Sequence, residues 1–306
     1  MEIQAISPRG YCYGVVNAIN VAKKAREEHP DETIYILGMI VHNKYIVKAL
    51  ENLRIQTLDD VETSREDLLD TICSGIVILS AHGSAQKVKD KAIEKGFIVY
   101  DATCKDVTKT HDLIQDYLNQ GYDVIYLGKE NHPEAIAACS LSERVHLVTN
   151  GRELRKLKIK NDKIFITNQT TISILEAQRV FDIAQKTYAN IVISQEICNA
   201  TRIRQEAVLE VDEDVDVVYI VGDPKSNNSN KLASLARTRK LDVYMIETVK
   251  DIELLQLHKK KKAAITSGAS TPTYLTNQVI EYLKNFNKKD ESTYQTPDVD
   301  INKILD

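Results

Sequence analysis

Residues 97–121 read FIVYDATCKDVTKTHDLIQDYLNQG. A β-type run ends at Cys104 and a helix-like stretch opens behind it, and a residue between a strand's carboxyl end and a helix N-terminus is a recurrent ligand position in α/β folds. The same construction occurs twice more. EIQAIS (2–7) precedes Cys12, with VVNAINVAKKAREE (15–28) after it, and NIVISQEI (190–197) precedes Cys198, with TRIRQEAVLEV (201–211) after it. The three cysteines are 92 and 94 residues apart.

The correspondence continues downstream. A second strand end with a polar motif follows each cysteine after 28 to 30 residues: GMIVHN (38–43, with His42), GKENHPE (128–134, with His132 and Glu134) and GDPKSNNSN (222–230, with Ser226, Asn227 and Asn228). A short strand and a charged helix come next: IQTL then SREDLLD, VHLVT then GRELRKL, VYMIE then VKDIELL. A third motif lies 66 to 72 residues after each cysteine, in VILSAHGS (His82), IFITNQTTIS (Thr170) and AAITSGASTP (Ser270). Self-similarity at a fixed period is a statement about fold.

The expected class is therefore α/β, with three pseudo-equivalent lobes of mainly parallel sheet in a trefoil around a centre, since long apolar strands suit parallel sheets covered by helices on both faces. The expected divisions are 13–103, 104–197 and 198–285, the last completed by the N-terminal strand within 1–12, with 286–306 as a polar C-terminal tail that either packs over the lobes or stays loose. Strand 2–7 has no unit of its own and is expected to join the third unit's sheet. That unit closes with a helix over 271–285.

Bulk properties fit a globular protein: 306 residues, 43% hydrophobic and 27% charged, with net charge −4. The negative balance argues against a nucleic-acid partner, because phosphate backbones recruit basic surfaces. The run 259–262 reads as a solvated basic edge. No apolar stretch spans a bilayer, and the N-terminus reads as a strand rather than a signal segment. The expectation is a cytoplasmic protein in a reducing compartment, with no membrane partner and no disulfide among its five cysteines. Cys73 and Cys139 lack equivalents in the other units and read as buried hydrophobes.

In a threefold arrangement Cys12, Cys104 and Cys198 would face one another. Three thiolates can bind zinc or an iron–sulfur cluster, and a [4Fe–4S] cluster with three protein ligands keeps one iron open. His42, His82, His132, Thr170, Ser226, Asn228 and Ser270 form a set of neutral or weakly basic donors at helix starts, where the helix dipole favours an anion such as phosphate. Most of these motifs have no Lys or Arg within their core, which suggests an enclosed site, and no Gly-rich phosphate loop is present. Glu134, with Thr170 and His132, offers a proton relay. Three classes fit these residues: an iron–sulfur reductase of a small diphosphate, a three-cysteine zinc hydrolase of a phosphorylated small molecule, and a non-catalytic phosphate-binding module.

PRGYCYGV, VHNKYIV, SAHGS, DATC, GKENHPE, NQTTIS, SNNSNKLA and TSGASTP, in this order over residues 1–285, resemble the LytB-type 4-hydroxy-3-methylbut-2-enyl diphosphate reductases of the non-mevalonate isoprenoid pathway. The resemblance implies a [4Fe–4S] oxidoreductase with Cys12, Cys104 and Cys198 as ligands. It implies diphosphate binding by His42, His82, Ser226, Asn228 and Ser270, and proton delivery by Glu134 with Thr170 and His132. It also implies ferredoxin or flavodoxin as electron donor, with isopentenyl and dimethylallyl diphosphate as products. The chain departs from the family pattern at Asn227, commonly a second Ser, where an altered diphosphate contact is expected. It departs again at Tyr13 and Lys105, where many relatives have a small residue and a Pro.

Overall fold

The computed structural model describes the chain apart from residues 61, 195–197 and 258–259. Strand β1 (Glu2–Ala5) and helix α1 (Tyr13–Glu28) come first. They are followed by β2 (Ile34–Leu37), α2 (Lys44–Asn52), β3 (Ile55–Leu58), α3 (Arg65–Leu68), β4 (Ile76–Leu79), α4 (Gln86–Glu94) and β5 (Ile98–Asp101). The pattern repeats as α5 (Lys105–Asn119), β6 (Asp123–Leu127), α6 (Pro133–Cys139), β7 (Val145–Val148), α7 (Gly151–Lys156), β8 (Ile164–Asn168), α8 (Ile174–Thr187) and β9 (Ile191–Ile193). It runs a third time as α9 (Asn199–Leu209), β10 (Val217–Val221), α10 (Asn227–Thr238), β11 (Asp242–Ile246), α11 (Leu254–Leu257), β12 (Lys262–Ser267) and α12 (Thr273–Asn285).

The strands form three four-stranded sheets, ordered β3-β2-β4-β5, β7-β6-β8-β9 and β11-β10-β12-β1, with every pairing parallel. The fourth strand of the last sheet is the N-terminal one: Ile3 is in register with Ala263 and Ala5 with Ile265, the pairing expected from the orphan strand. Central strands such as IVIL (76–79) and VVYIV (217–221) are buried at every position, as parallel strands covered on both faces must be. In each sheet the chain leaves its first strand toward one side and returns for its third on the other. The carboxyl ends of those two strands therefore flank a crevice, the place where open α/β sheets bind ligands. The crevices lie between β2 and β4, β6 and β8, and β10 and β12. Every polar motif follows one of these six strands.

Two compact units divide the chain: Met1–Tyr13 with His42–Ala49 and Ala200–Asp306, and Gly14–Val41 with Leu50–Asn199. The first contains the sheet of β1 and β10–β12, with a core of Ile6, Val218, Ile220, Leu232, Ala236 and Ala264. The second contains the other two sheets, with cores around Leu79 and Val88 and around Ile125, Ile166 and Val180.

In the first unit the tail is packed rather than loose. Phe286 stacks near Tyr294 at 5.5 Å, Ile304 is fully buried, and the Tyr11 hydroxyl donates to the Ile304 carbonyl at 2.5 Å. The expected helix start at residue 271 moves to Thr273, with Pro272 at the cap, because Thr271 Oγ1 donates instead to the Val221 carbonyl (2.9 Å). Two further expectations are corrected. Lys262 is not a solvated edge. Its side chain is 11% exposed and its ammonium bonds Asp212 (2.9 Å) and Asp214 (2.8 Å), which hold its pKa above the usual range; Lys259 lies outside the described residues. Cys73 is exposed, since the turn that carries it ends at Gly75, just before β4 starts, rather than inside the sheet. No described helix is long and apolar enough to cross a membrane.

Ile265 is fully buried on β12, between β1 and β10. Ile265→Ala is expected to cost about 2–5 kcal/mol and Ile265→Val about 0.5–1.5 kcal/mol, read from urea unfolding midpoints. Equal, negligible losses would mean that β12 is not central.

Candidate functional site

The crevice between β6 and β8 holds the one carboxylate of the expected relay. Glu134 is 2% exposed and lies in the first turn of α6, behind His132 at the N-cap and Pro133 at the first helical position. His132 Nδ1 accepts from the Glu134 backbone N–H at 3.2 Å, so a neutral imidazole carries its proton on Nε2. From the other side of the crevice, Thr170 donates twice, its N–H to Glu134 Oε1 (2.7 Å) and its hydroxyl to Oε2 (2.8 Å). Tyr126, a fully buried β6 residue, reaches Oε1 at 3.4 Å. Those hydrogen bonds favour the anion, but burial outweighs them and raises the pKa from 4.5 to about 7. A carboxyl poised there both holds and releases a proton near neutrality. Gln169 ties the two loops together, accepting from the Lys129 N–H (2.9 Å) and donating to Thr171 (2.9 Å).

The crevice between β2 and β4 carries His82. Its ring meets that of His132 edge-on, with centroids 5.4 Å apart, so two of the expected residues lie side by side in this unit. Three residues that the sequence did not single out support it. Ser80 Oγ is 3.4 Å from His82 Nδ1. Arg65 donates to Ser80 Oγ (2.8 Å), the Gly83 carbonyl (2.7 Å) and Ser84 Oγ (2.7 Å). His111 packs against Gly83, a glycine at φ +80, and burial lowers its pKa, which keeps the ring neutral. Beside this loop, the Cys104 N–H donates to the Ala81 carbonyl (3.0 Å).

The first unit repeats the plan with hydroxyls and amides. Ser226 caps α10, accepting from the Ser229 N–H (3.3 Å), as its motif implies. Ser270 Oγ lies 3.4 Å from Ser226 Oγ and 3.2 Å from the His42 carbonyl. Asn43 caps α2 through the Tyr45 N–H (3.0 Å), and Asp223 accepts from the Lys44 N–H (3.1 Å) and the Lys225 N–H (2.8 Å). The site therefore gathers His42, Ser226 and Ser270, with Asn227 and Asn228 buried on the first turn of α10. Both polar atoms of the Asn228 amide are buried without a partner among the described residues. An orphaned buried amide is costly, and a bound anion would accept from its Nδ2–H. Next to Ser270, the Cys12 N–H donates to the Ala269 carbonyl (3.1 Å).

The three expected ligand cysteines are each partly exposed and outside any disulfide. Cys104 is the N-cap of α5, and Cys198 directly precedes α9. Soft sulfur donors at strand-to-helix junctions fit an iron–sulfur group. Cys139, by contrast, is partly buried against the core, where desolvation pushes its thiol up to about 11 and leaves it unreactive. Tyr13, the residue after Cys12, is 41% exposed.

Known proteins resemble the chain over nearly its whole length. The family described as LytB protein matches residues 3–284. The 4-hydroxy-3-methylbut-2-enyl diphosphate reductases of Geobacillus thermodenitrificans (strain NG80-2) and Bacillus cereus (strain B4264) are 43% and 45% identical to the chain, each alignment covering 100% of it and 97% of the relative. Among solved structures, the E-1-hydroxy-2-methyl-but-2-enyl-4-diphosphate reductase from Plasmodium falciparum superposes with a TM-score of 0.85 at 30% identity, over 93% of this chain and 88% of that one. A structure of (E)-4-hydroxy-3-methyl-but-2-enyl diphosphate reductase, the terminal enzyme of the non-mevalonate pathway, gives 0.65 at 28% identity, over 93% and 99%.

Glu134 yields a stability test independent of any relative. The folded protein keeps its proton up to about pH 7, whereas the unfolded chain releases it near 4.5. This group's contribution is therefore complete below pH 4.5 and is lost as pH rises through 7. Glu134→Gln lacks the effect and is expected to be more stable than the parent at pH 8, by about 3 kcal/mol at most, with the difference vanishing at pH 4.5. A pH-independent difference in melting temperature would contradict the buried, protonated carboxyl.

Proposed function

The chain belongs to the LytB protein family, and on that premise we propose that it reduces (E)-4-hydroxy-3-methylbut-2-enyl diphosphate to isopentenyl and dimethylallyl diphosphate, the last step of the non-mevalonate pathway. Two electrons and two protons enter, the allylic C–O bond breaks, and water leaves. The protein is an iron–sulfur enzyme whose centre is a [4Fe–4S] cluster held by Cys12, Cys104 and Cys198, with electrons supplied by a ferredoxin or flavodoxin. When bound, the cluster supplies the electrons and a Lewis-acidic open iron.

One construction, made twice, carries this assignment. The Cys12 and Cys104 amides bond the carbonyls of Ala269 and Ala81, the residues just before Ser270 and His82. Within its own unit, each of these two cysteines is thus fixed by backbone to a turn whose next side chain we assign to the diphosphate.

Glu134 is the proton source. Its carboxyl is held by Thr170 at both oxygens, and when it is protonated the Thr170 hydroxyl can take that proton and present its own to the leaving oxygen. His132 fixes the turn that carries Glu134 and offers Nε2–H. His42, His82, Ser226, Asn227, Asn228 and Ser270 take the diphosphate oxygens through neutral N–H and O–H donors, with the start of α10 adding its dipole.

Anaerobically purified protein is expected to be brown, with about four irons and four sulfides per chain, and Cys104→Ser to lose most of both. Colourless protein containing zinc would favour the hydrolase instead. Glu134→Gln is expected to keep iron and sulfide while turnover falls about 10²–10⁴-fold; parental turnover would show that another group supplies the proton.

A further inference from the structure

Most of the anion-binding motifs have no cationic side chain at their core, yet a diphosphate carries several negative charges. The crevice between β2 and β4 supplies one from behind. Arg65 opens α3, and its guanidinium reaches back over the carboxyl ends of both strands. A Cβ on Gly38, the residue after β2, would lie 2.9 Å from Arg65 Nη2, and the guanidinium bonds Ser80, Gly83 and Ser84 on the loop after β4. These three residues bracket His82 on both sides.

Arg65 has no ion pair among the described residues. A carboxylate within reach often accompanies a half-buried guanidinium, because withdrawing an uncompensated charge from water is costly. The exposed Asp59 acts on it only through space, and burial lowers its pKa to about 10, so it stays charged at neutral pH. Its three bonds are to neutral acceptors, which leave the charge available to an anion arriving at the loop.

The bond to Ser80 also sets the state of His82. A hydroxyl that accepts from Nη2 at 2.8 Å turns its own proton elsewhere, and His82 Nδ1 is the acceptor in reach at 3.4 Å. With Nδ1 occupied as an acceptor, the neutral ring carries its proton on Nε2 and becomes a donor at that atom. We infer that Arg65 is a positioning residue and a half-buried counter-charge for the substrate's diphosphate, acting through Ser80 to present His82 as a donor and through its own charge to draw the anion to this loop. The inference rests on the diphosphate reading of the site.

The test uses anaerobically prepared holoenzyme and inorganic diphosphate as probe, with the dissociation constant measured by calorimetry at several salt concentrations. Binding by the parent protein checks the diphosphate reading; the variants, relative to the parent, check Arg65. Arg65→Met is expected to weaken binding about 10- to 100-fold and to flatten its salt dependence. It should raise KM for the organic substrate by a similar factor while kcat changes less than about threefold. Arg65→Lys, which keeps the charge but loses the fork, should fall between and recover the salt dependence. Ser80→Ala, a small truncation, should weaken binding about 3- to 10-fold with its salt dependence intact, and it decides the matter if Arg65→Met does not accumulate as folded protein. Parental affinity in Arg65→Met or in Ser80→Ala, or a loss in kcat alone, would overturn the inference.

Discussion

The strand order imposed by parallel pairing is the constraint on which everything else depends. A right-handed crossover places the second strand on one side of the first, and the third must then pair on the other. Sequential motifs in each lobe are thereby brought onto the two lips of one crevice: Gly38–Val41 with Ser80–Ser84, Gly128–Glu134 with Gln169–Ser173, and Gly222–Asn228 with Gly268–Pro272. The fourth strand adds its carboxyl end beside the third, which is why Cys104 bonds Ala81 and Cys12 bonds Ala269. No local preference of these short motifs would bring them together; the sheet does it.

Placement alone does not give chemistry. The groups at these crevices are buried further than their types usually are, and burial changes what they do. Glu134 would be a permanently charged carboxylate on the surface; enclosed beside Tyr126 and Thr170 it becomes a group that exchanges protons near pH 7. Asn228 would be solvated; buried without a partner among the described residues, it becomes a donor awaiting an acceptor. Asp223 shows the opposite treatment. Its oxygens are taken up by the Lys44 and Lys225 amides, so a carboxylate can stand in an anion-binding crevice as a fastener of two turns.

The sequence made the repeat legible because strand ends carry signals that survive divergence: an apolar run, a glycine or serine turn, then a helix start. Cys12, Cys104, Cys198 and the histidines stand at those junctions, so spacing alone aligns them. It also foretold that the strand expected at 2–7, found as Glu2–Ala5, completes the last sheet, since an orphan strand and a unit short of one strand imply each other. Supporting residues gave no such signal. Tyr126 reads as one more aromatic in a buried strand, and only the register of β6 with β8 turns its hydroxyl toward Glu134. Arg65 lies in a charged stretch, SREDLLD, where an arginine is usually solvated, and its distance of 17 residues from His82 matches no local pattern. Cys73 and Lys262 misled for the converse reason: composition favours a buried thiol and an exposed amine, but a turn before β4 and three carboxylates around β12 reversed both.

The three crevices share one backbone plan and differ in the sign of what they hold. Between β6 and β8 the enclosed group is an acid, between β2 and β4 it is a guanidinium behind a histidine, and between β10 and β12 it is a cluster of hydroxyls and an amide. On the proposed reading, a substrate with a reacting hydroxyl at one end and a diphosphate at the other calls for both an acid and anion donors. The acid must be kept away from the cation, since an ion pair between Glu134 and Arg65 would fix the carboxylate as an anion and end its use as a proton donor, while cancelling the charge that attracts the diphosphate. Distributing acid and cation over separate sheets, each with its own hydrogen-bond partners, avoids that neutralisation. A single crevice holding both would neutralise itself, and so the repeated architecture, rather than any one motif, allows a buried acid and a half-buried guanidinium to coexist in one chain.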